Sequence, residues 1–347
     1  MLALRLKAWK TEAVLEEVPE PGLPPAGALL KVIGAGACHS DLHLMRDFET
    51  DAMGWGPPFT LGHENTGEIV ALGRRAFGLE VGQPVAVYGP WGCGHCRRCA
   101  IGEESYCENA AAIGPAGGGL GLDGGMAPLM AVPDTRLLVP LGSLDPVEAA
   151  PLTDAGLTPY HAVNRSLPKL VPGSAAVVIG AGGLGHMAVQ ILKAVSPAKV
   201  IVVDTRQEAL ALAKSLGADE TVSMDENPGP AIMELTHGRG AEAVIDLVGA
   251  DSTIALGMRV ARTRGDLSLV GLAGGSAPFR FLTARIEVEM ATTFWGTRAE
   301  LMEVISLAQA GLIRSHVQRF TLDQAAGAYR LMREGKLEGR AVVTPNA

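Results

Sequence analysis

The pattern of hydrophobic and polar positions changes near residue 150 of the 347-residue chain. Before that point, short apolar runs such as "ALLKVIGAGA", "TGEIVALG", "QPVAVYG" and "MAPLMAV" are interrupted by glycine and proline. Runs of this length between turn-forming residues are typical of β-strands in an all-β or barrel-like unit. The pattern therefore predicts a mostly β domain over residues 1–153.

The next part of the chain alternates strands with helices. The runs "AAVVIG", "KVIVVD", "EAVIDLVG" and "DLSLVGLAG" are almost continuously apolar, as in a parallel sheet that is covered on both faces. Helical stretches such as "LGHMAVQILKAVS" and "RQEALALAKSLG" lie between them, the second ending on a glycine suited to a helix C-terminus. Residues 154–295 are predicted to form an α/β, Rossmann-type doubly wound domain, and residues 296–347 to return to the first unit.

Charge narrows the range of partners. The chain has 37 acidic and 29 basic residues, a net charge of -8, and no Lys/Arg run that would follow the phosphates of a nucleic acid. The first residues carry charges throughout and lack the apolar stretch of a secretory signal, and no run reaches membrane-spanning length. We expect a cytoplasmic protein without nucleic-acid or membrane partners.

Four of the five cysteines lie in "CGHCRRCAIGEESYC", at Cys93, Cys96, Cys99 and Cys107. An odd cysteine count in an intracellular chain is a poor disulfide framework, so metal ligation is the better interpretation. The first three share the spacing of bacterial ferredoxins, but the fourth follows after seven residues rather than three and has no proline behind it. Because four thiolates close a tetrahedral shell, we predict a structural zinc lobe over about residues 92–108, with reactive or merely buried cysteines as the alternatives.

The stretch "VVIGAGGLG" places Gly180, Gly182 and Gly185 in a GxGxxG turn, with Gly183 and Leu184 inside it. A strand precedes the turn and a helix follows, which is the context of a dinucleotide-binding site. The first glycine permits the tight turn, the second lets the backbone approach a pyrophosphate, and the third allows close helix packing. The alternative is a glycine turn in an α/β domain that holds no cofactor.

Cofactor choice depends on the end of the next strand. Asp204 closes that strand and would accept hydrogen bonds from the adenosine ribose, while its charge would repel a 2′-phosphate. NAD is therefore favoured over NADP, although Arg206, two residues further on, would soften the preference.

A second set of metal-binding residues is scattered. Cys38 lies in "GACHSDLH", and "LGHEN" supplies His63 and Glu64. Each is weak by itself, because a single cysteine is most often a small buried hydrophobe. A catalytic zinc takes three protein ligands and keeps one position open. Cys38 and His63 are two candidates, and the third must lie further along the chain.

The motifs "GHENTGEIVALG", "CGHCRRCAIGEESYC" and "GAGGLG", in this order, resemble those of the zinc-containing alcohol dehydrogenases of the medium-chain dehydrogenase/reductase family over essentially the full length. The resemblance implies a GroES-like catalytic domain beside the Rossmann domain, two zinc ions per chain and NAD. It also implies a small alcohol as substrate, and a homodimer or homotetramer paired through the cofactor domains.

The resemblance also assigns residues to the catalytic zinc. Cys38 and His63 match ligands of the family, and the third ligand falls on Asp154 in "PLTDAGLTPYHA", where better-known members have cysteine. Aspartate is an acceptable zinc ligand, and this substitution is similar to that in some bacterial secondary alcohol dehydrogenases. Glu64 matches a residue of the family that supports a zinc ligand or exchanges with one on the metal.

Further roles follow from the resemblance. Ser40 matches the hydroxyl that hydrogen-bonds the substrate oxygen, His43 a proton-relay histidine, and Asp41 is interpreted as local polar support. The residues matched to the nicotinamide and the pyrophosphate are Val248, Val270, Gly271 and Arg340. The residues matched to the substrate cleft are Trp55, Leu120, Phe294 and Trp295, although each could equally be core.

The implied reaction is reversible hydride transfer between NAD and an alcohol, with a ketone or aldehyde as the product. An apolar cleft wall favours medium-sized secondary alcohols. One alternative is a polyol or threonine dehydrogenase of the same superfamily, which would need extra polar groups in the cleft. The other is a catalytically silent NAD-binding protein that has kept the fold.

Overall fold

The computed structural model describes residues 1–48, 54–114 and 116–347, and the chain divides into two compact units. The first unit comprises residues 1–154, 297–309 and 315–347, and the second comprises residues 155–296 and 310–314. The boundaries predicted from sequence, after residues 153 and 295, each lie one residue before those of the structure.

The strands share the short lengths that the apolar runs predict. In chain order they are β1 Leu2–Leu6, β2 Val14–Glu17, β3 Ala28–Ala37, β4 Phe59–Thr60, β5 Glu64–Leu72, β6 Pro84–Val87, β7 Gly117–Gly118, β8 Gly121–Leu122, β9 Leu129–Val132, β10 Leu138–Pro140, β11 Ala175–Ile179, β12 Lys199–Asp204, β13 Glu220–Ser223, β14 Ala241–Asp246, β15 Ala261–Leu269, β16 Glu289–Thr292, β17 Val317–Thr321 and β18 Arg340–Thr344.

The α-helices described are between four and twelve residues long. They are α1 His39–Arg46, α2 Arg97–Ala100, α3 Ala110–Ile113, α4 Pro146–Ala149, α5 Leu157–Ser166, α6 Gly185–Val195, α7 Gln207–Ser215, α8 Pro228–Leu235, α9 Asp251–Val260, α10 Arg298–Gln309 and α11 Ala325–Arg333. Across residues 1–48, 54–114 and 116–347, no helix is both long and apolar enough to cross a membrane.

The second unit is built on a six-stranded sheet in the order β13-β12-β11-β14-β15-β16, and every neighbouring pair is parallel. Its core is aliphatic, and the residues of β11 are all buried, because helices cover both faces of such a sheet. The strand order reverses between β11 and β14, which is where a doubly wound sheet opens a crevice for ligands. The predicted α/β fold class is confirmed.

The first unit is mostly β, as predicted. Its larger sheet runs β10-β6-β5-β3-β18-β17, with β9 also paired to β3, and a smaller sheet runs β2-β1-β4. The long strand β3 lies at the centre, antiparallel to β5, β9 and β18. Strand β18 lies near the end of the chain, so the C-terminal segment completes this sheet. Strand β3 of the same sheet ends directly before Cys38, the first candidate metal ligand.

Candidate active site

Cys38, His63 and Asp154 come from three separate segments of the first unit and converge. Cys38 stands between β3 and α1, His63 lies just before β5, and Asp154 follows the 3-10 helix Ala150–Thr153. Cys38 Sγ lies 3.8 Å from Asp154 Oδ2, and His63 Nε2 lies 3.6 Å from the same oxygen. The three ligand atoms all lie within 4.8 Å of one another. Chain folding has thus brought together residues that lie far apart in the sequence.

The trio fits a zinc ion with one open position. Sulfur, nitrogen and oxygen ligands arranged tetrahedrally around zinc are roughly 3.3–3.8 Å apart, close to the spacing of these atoms. Burial alone would lower the pKa of His63, but the charge of Asp41 and hydrogen bonds to Asp154, Asp41 and Cys38 raise that pKa well above its usual value. Carboxylates and a thiol therefore surround the imidazole of His63, and this donor set suits a cation.

Asp41 supports two of the three candidate ligands. Its Oδ2 accepts a hydrogen bond from the Cys38 amide at 3.0 Å, and its Oδ1 lies 3.2 Å from His63 Nδ1. Tyr329 on α11 donates its hydroxyl proton to Asp41 Oδ2 at 2.7 Å. Sequence reasoning gave Asp41 only a local role and missed Tyr329. The only signal for Tyr329 was its place on the buried face of an amphipathic helix.

Glu64 and Arg340 form a buried ion pair beside the trio. Glu64 is 0% and Arg340 3% exposed, and Arg340 Nη2 contacts Glu64 Oε1. A Cβ atom at Gly36 would lie 2.0 Å from Glu64 Oε2, so glycine on β3 provides the space for this carboxylate. Burial raises the pKa of Glu64 to about 7, against the opposing charge of Arg340. Metal exchange by Glu64 and a pyrophosphate contact by Arg340 stay predictions.

Ser40 and His43 lie three residues apart on α1, so both face the same side of the helix. Ser40 Oγ lies 3.0 Å from Cys38 Sγ and 3.4 Å from His63 Nε2. His43 Nδ1 lies 2.5 Å from Asp47 Oδ2. Ser40 therefore stands against the ligand atoms, whereas His43 is held by a carboxylate further along the helix. Their roles in proton transfer stay predictions.

The four cysteines of the lobe also converge. The sulfurs of Cys93, Cys96, Cys99 and Cys107 lie within 4.8 Å of one another, and Cys93 Sγ is 3.9 Å from Cys99 Sγ. Two sulfurs on a tetrahedral zinc are about 3.8 Å apart. Hydrogen bonds from the amides of His95 and Cys96, the largest causes, lower the pKa of Cys93 to about 5. The donor set and its spacing suit one metal ion with no open position.

A buried ion pair fastens this lobe to the sheet. Arg136 Nη1 lies 2.7 Å from Glu104 Oε1, and the Glu104 side chain is 0% exposed. Arg136 Nη2 also donates to the carbonyl of Trp91 at 2.6 Å. Arg136, which lies just before β10, therefore links both the middle of the lobe and the segment that precedes the lobe to the sheet. Neither residue carried a sequence signal, because each is unremarkable alone.

The glycine turn lies between β11 and α6 of the second unit. Gly180 has φ +92, a conformation that side chains disfavour, and a Cβ atom at Gly185 would lie 2.0 Å from the Gly180 carbonyl oxygen. Gly182 has nothing closer to its Cβ position than an Arg206 nitrogen at 3.6 Å. The turn is thus tight and its middle is open, which suits a pyrophosphate at the start of α6. Gly183 and Leu184 complete it.

Asp204 ends β12 beside this turn. Its carboxylate accepts hydrogen bonds from the Ala181 amide at 2.7 Å and the Arg206 amide at 2.9 Å. The Arg206 guanidinium Nε lies 3.6 Å from Asp204 Oδ1. Asp204, which is predicted to bind the ribose, therefore lies next to the turn. Arg206, which would weaken the preference for NAD over NADP, lies beside Asp204.

Val248, Val270 and Gly271 lie at the ends of β14 and β15. Both Val270 and Gly271 donate their amides to the Asp246 carbonyl, at 2.8 and 3.1 Å. The Asp246 carboxylate accepts hydrogen bonds from the amides of Val248 and Gly249, each at 3.0 Å. Two loops at the carboxyl edge of the sheet are thereby tied together. The nicotinamide contacts stay predictions.

The four candidate cleft residues divide between the units. Trp55 and Leu120 belong to the first unit, and Phe294 and Trp295 to the second. The Trp55 ring packs against Trp9 and Phe59, with centroids 5.8 Å apart in both pairs. Trp295 is 5% and Phe294 53% exposed. Trp9 was not singled out in the sequence.

The chain matches two family models and several known proteins. Residues 24–143 match the family model of the alcohol dehydrogenase GroES-like domain, and residues 183–310 match that of the zinc-binding dehydrogenases. An NAD-dependent alcohol dehydrogenase of Sulfurisphaera tokodaii is 38% identical, covering 99% of this chain and 100% of that protein. A D-arabinose 1-dehydrogenase (NADP(+)) of Saccharolobus solfataricus is 35% identical, covering 99% and 97%.

A solved structure agrees in fold over the same length. The alcohol dehydrogenase of Aeropyrum pernix superimposes with a TM-score of 0.92 at 36% sequence identity, covering 99% of this chain and 100% of that chain.

Proposed function

The chain belongs to the zinc-dependent alcohol dehydrogenases of the medium-chain dehydrogenase/reductase family, and we propose that its substrates are secondary alcohols, oxidised reversibly to ketones. It is an NAD-dependent oxidoreductase that uses zinc. The observation that carries the zinc assignment is the convergence of Cys38, His63 and Asp154 within 4.8 Å, which supplies three ligand atoms where a tetrahedral zinc takes four.

Cys38, His63 and Asp154 would hold the catalytic zinc, and the turn from Gly180 to Gly185 would hold NAD. When bound, zinc polarises the substrate oxygen and NAD exchanges a hydride with the neighbouring carbon. Ser40 Oγ, 3.0 Å from Cys38 Sγ, is placed to exchange a hydrogen bond with an oxygen in the open position. His43, on the same face of α1, would pass the proton toward Asp47 and solvent.

Asp154 distinguishes this candidate metal site from one whose third ligand is a thiolate. A carboxylate donates less electron density to zinc than a thiolate does, so the metal is the stronger Lewis acid and is held less firmly. Asp154 is also the most exposed of the three ligands, at 15% of its side chain, against 2% for His63.

Aromatic side chains support the choice of secondary alcohols. Trp55 packs against Trp9 and Phe59, and such an aromatic surface would provide an apolar wall that favours alcohols without additional hydroxyls. The relative named for D-arabinose favours a second candidate, the oxidation of a sugar with NADP, and Arg206 beside Asp204 is the residue that would permit it.

A substrate panel separates the candidates. Purified protein is assayed with primary alcohols, secondary alcohols and polyols, each with NAD and with NADP. The proposal expects the highest kcat/KM with a secondary alcohol and NAD. A preference for a polyol or sugar would overturn the substrate class. No turnover with any alcohol would support a silent NAD-binding protein.

We also propose that two copies of the chain pair through the second unit. β16 is the edge strand of its sheet, and the preceding segment exposes Phe281 and Leu282 to 87% and 90%. An exposed sheet edge with apolar neighbours favours pairing with another strand. Sedimentation equilibrium tests this: a monomer at micromolar concentration would contradict it, and a dimer or tetramer is expected.

A further inference from the structure

Tyr329 is a buried tyrosine whose hydroxyl is aimed at the candidate zinc site. It lies on α11, is 2% exposed, and donates to Asp41 Oδ2 at 2.7 Å. Burial and then the charge of Asp41 raise the pKa of Tyr329 well above its usual value, so the hydroxyl stays a donor. The two residues are 288 positions apart, so the bond ties the C-terminal helix to α1.

Asp41 transmits this contact to two ligands. Its Oδ2 accepts from Tyr329 and from the Cys38 amide, and its Oδ1 lies 3.2 Å from His63 Nδ1. Because Oδ2 accepts two hydrogen bonds, the carboxylate cannot rotate without breaking at least one of them. Without the Tyr329 hydroxyl, Asp41 would keep its charge but lose a side-chain hydrogen bond to Oδ2.

Tyr329 has a second contact that reaches the same ligand. Its hydroxyl lies 3.4 Å from Met126 Sδ. Met126 in turn packs on Gly62, where a Cβ atom would meet Met126 Cγ at 2.9 Å, and Gly62 directly precedes His63. The Tyr329 hydroxyl thus contacts both Asp41, whose carboxylate lies beside the His63 ring, and Met126, which packs against the main chain next to His63.

We propose that Tyr329 is a positioning residue of the catalytic zinc site, which fixes Asp41 and thereby orients His63 and Cys38. The inference rests on the proposed assignment of Cys38, His63 and Asp154 as zinc ligands. Groups that orient metal ligands are worth about 10–100-fold in metal affinity or activity when removed. We expect Tyr329 to be at the lower end, because it acts through Asp41.

The test measures release of the two zinc ions into a chromogenic chelator, with Tyr329→Phe compared to the wild type. The matched control is Tyr88→Phe, which removes another buried hydroxyl of the first unit, one that lies 3.3 Å from Ser105 Oγ near the cysteine lobe. We expect Tyr329→Phe to release one zinc about 10-fold faster and to keep the other, and Tyr88→Phe to release the active-site zinc at the wild-type rate. The visible spectrum of cobalt in the active site should change only in Tyr329→Phe.

The second metal serves as an internal measure of folding. Loss of both ions together from Tyr329→Phe would show a general structural role and overturn the inference. Wild-type release and an unchanged cobalt spectrum would also overturn it. If wild type itself holds only the lobe zinc, the ligand assignment fails instead.

A double-variant cycle tests the route through Asp41. Tyr329→Phe should accelerate zinc release in the wild-type background and have little further effect in Asp41→Asn. Equal effects in both backgrounds would mean that Tyr329 does not act through Asp41, and would overturn the inference in its stated form.

Discussion

The two candidate metal sites of the first unit are built in opposite ways. In the lobe, Cys93, Cys96, Cys99 and Cys107 are all thiols from a single stretch of chain, and neighbouring backbone amides donate to the sulfurs. In the other site, a thiol, an imidazole and a carboxylate come from segments up to 116 residues apart. A closed shell of identical ligands serves structure. A mixed and incomplete shell leaves a place for substrate.

The surroundings of the two sites differ as well. Around the trio, Asp41, Glu64 and Arg340 are all buried and charged or ionisable. In the lobe, the ion pair of Arg136 with Glu104 fastens the loop, and none of the hydrogen bonds described joins either side chain to the sulfurs. Buried charges adjacent to a metal set its electrostatics, whereas an ion pair that does not bond to the ligands fixes the position of the loop.

The largest expected effect is loss of activity with the active-site zinc while the zinc of the lobe remains. Cys38→Ala removes a thiolate from the trio, so the active-site zinc should be lost and kcat/KM should fall by about 10³-fold or more, because several kcal/mol of charge stabilisation disappear. Zinc analysis and steady-state assays measure both quantities. One zinc per chain should remain in the lobe. Near-normal activity would contradict the assignment of Cys38.

The complementary variant is Cys107→Ala in the lobe. Loss of one thiolate opens the tetrahedral shell and should release the structural zinc. We expect the apparent Tm to fall by about 10 °C, since loss of a metal belongs to the most destabilising changes. Differential scanning calorimetry measures this. The folded fraction at low temperature should retain activity, and a Tm equal to wild type would mean that the lobe needs no metal.

Exchange of the unusual ligand gives an intermediate effect. Asp154→Cys makes the trio more like the lobe, so zinc should be released to a chelator more slowly while kcat falls by about 10-fold, because the metal becomes a weaker Lewis acid. Asp154→Asn serves as the control and should weaken zinc binding. Faster release from Asp154→Cys would contradict the account of the carboxylate.

The smallest expected effect is a pH dependence in the zinc-free protein. Burial raises the pKa of Glu64 to about 7, above its usual value near 4.5, so the folded chain keeps this proton longer than the unfolded chain. The stabilisation is complete below about pH 4.5 and is lost as the pH rises through 7. The Tm of wild type should therefore fall by a few degrees relative to Glu64→Gln between about pH 5 and 8. Parallel Tm curves would contradict this.

The sequence predicted the local features well. The lobe follows from cysteine spacing, and the glycine turn from its strand, turn and helix context, because all members lie within a few residues. The grouping of Cys38, His63 and Asp154 needed the family resemblance, since no spacing rule joins residues this far apart. The contacts of Tyr329 with Asp41, Arg136 with Glu104 and Trp9 with Trp55 were missed. Each depends on which buried faces meet, and a hydropathy pattern marks a face as buried without naming its neighbour.

We propose that one chain carries both a structural and a catalytic zinc. The most direct test of this proposal is the zinc content of wild-type protein, measured by mass spectrometry together with NADH formation from secondary alcohols. We expect two zinc ions per chain and turnover that is lost when the first of them is removed by a chelator. One zinc per chain without NADH formation from any secondary alcohol would contradict it.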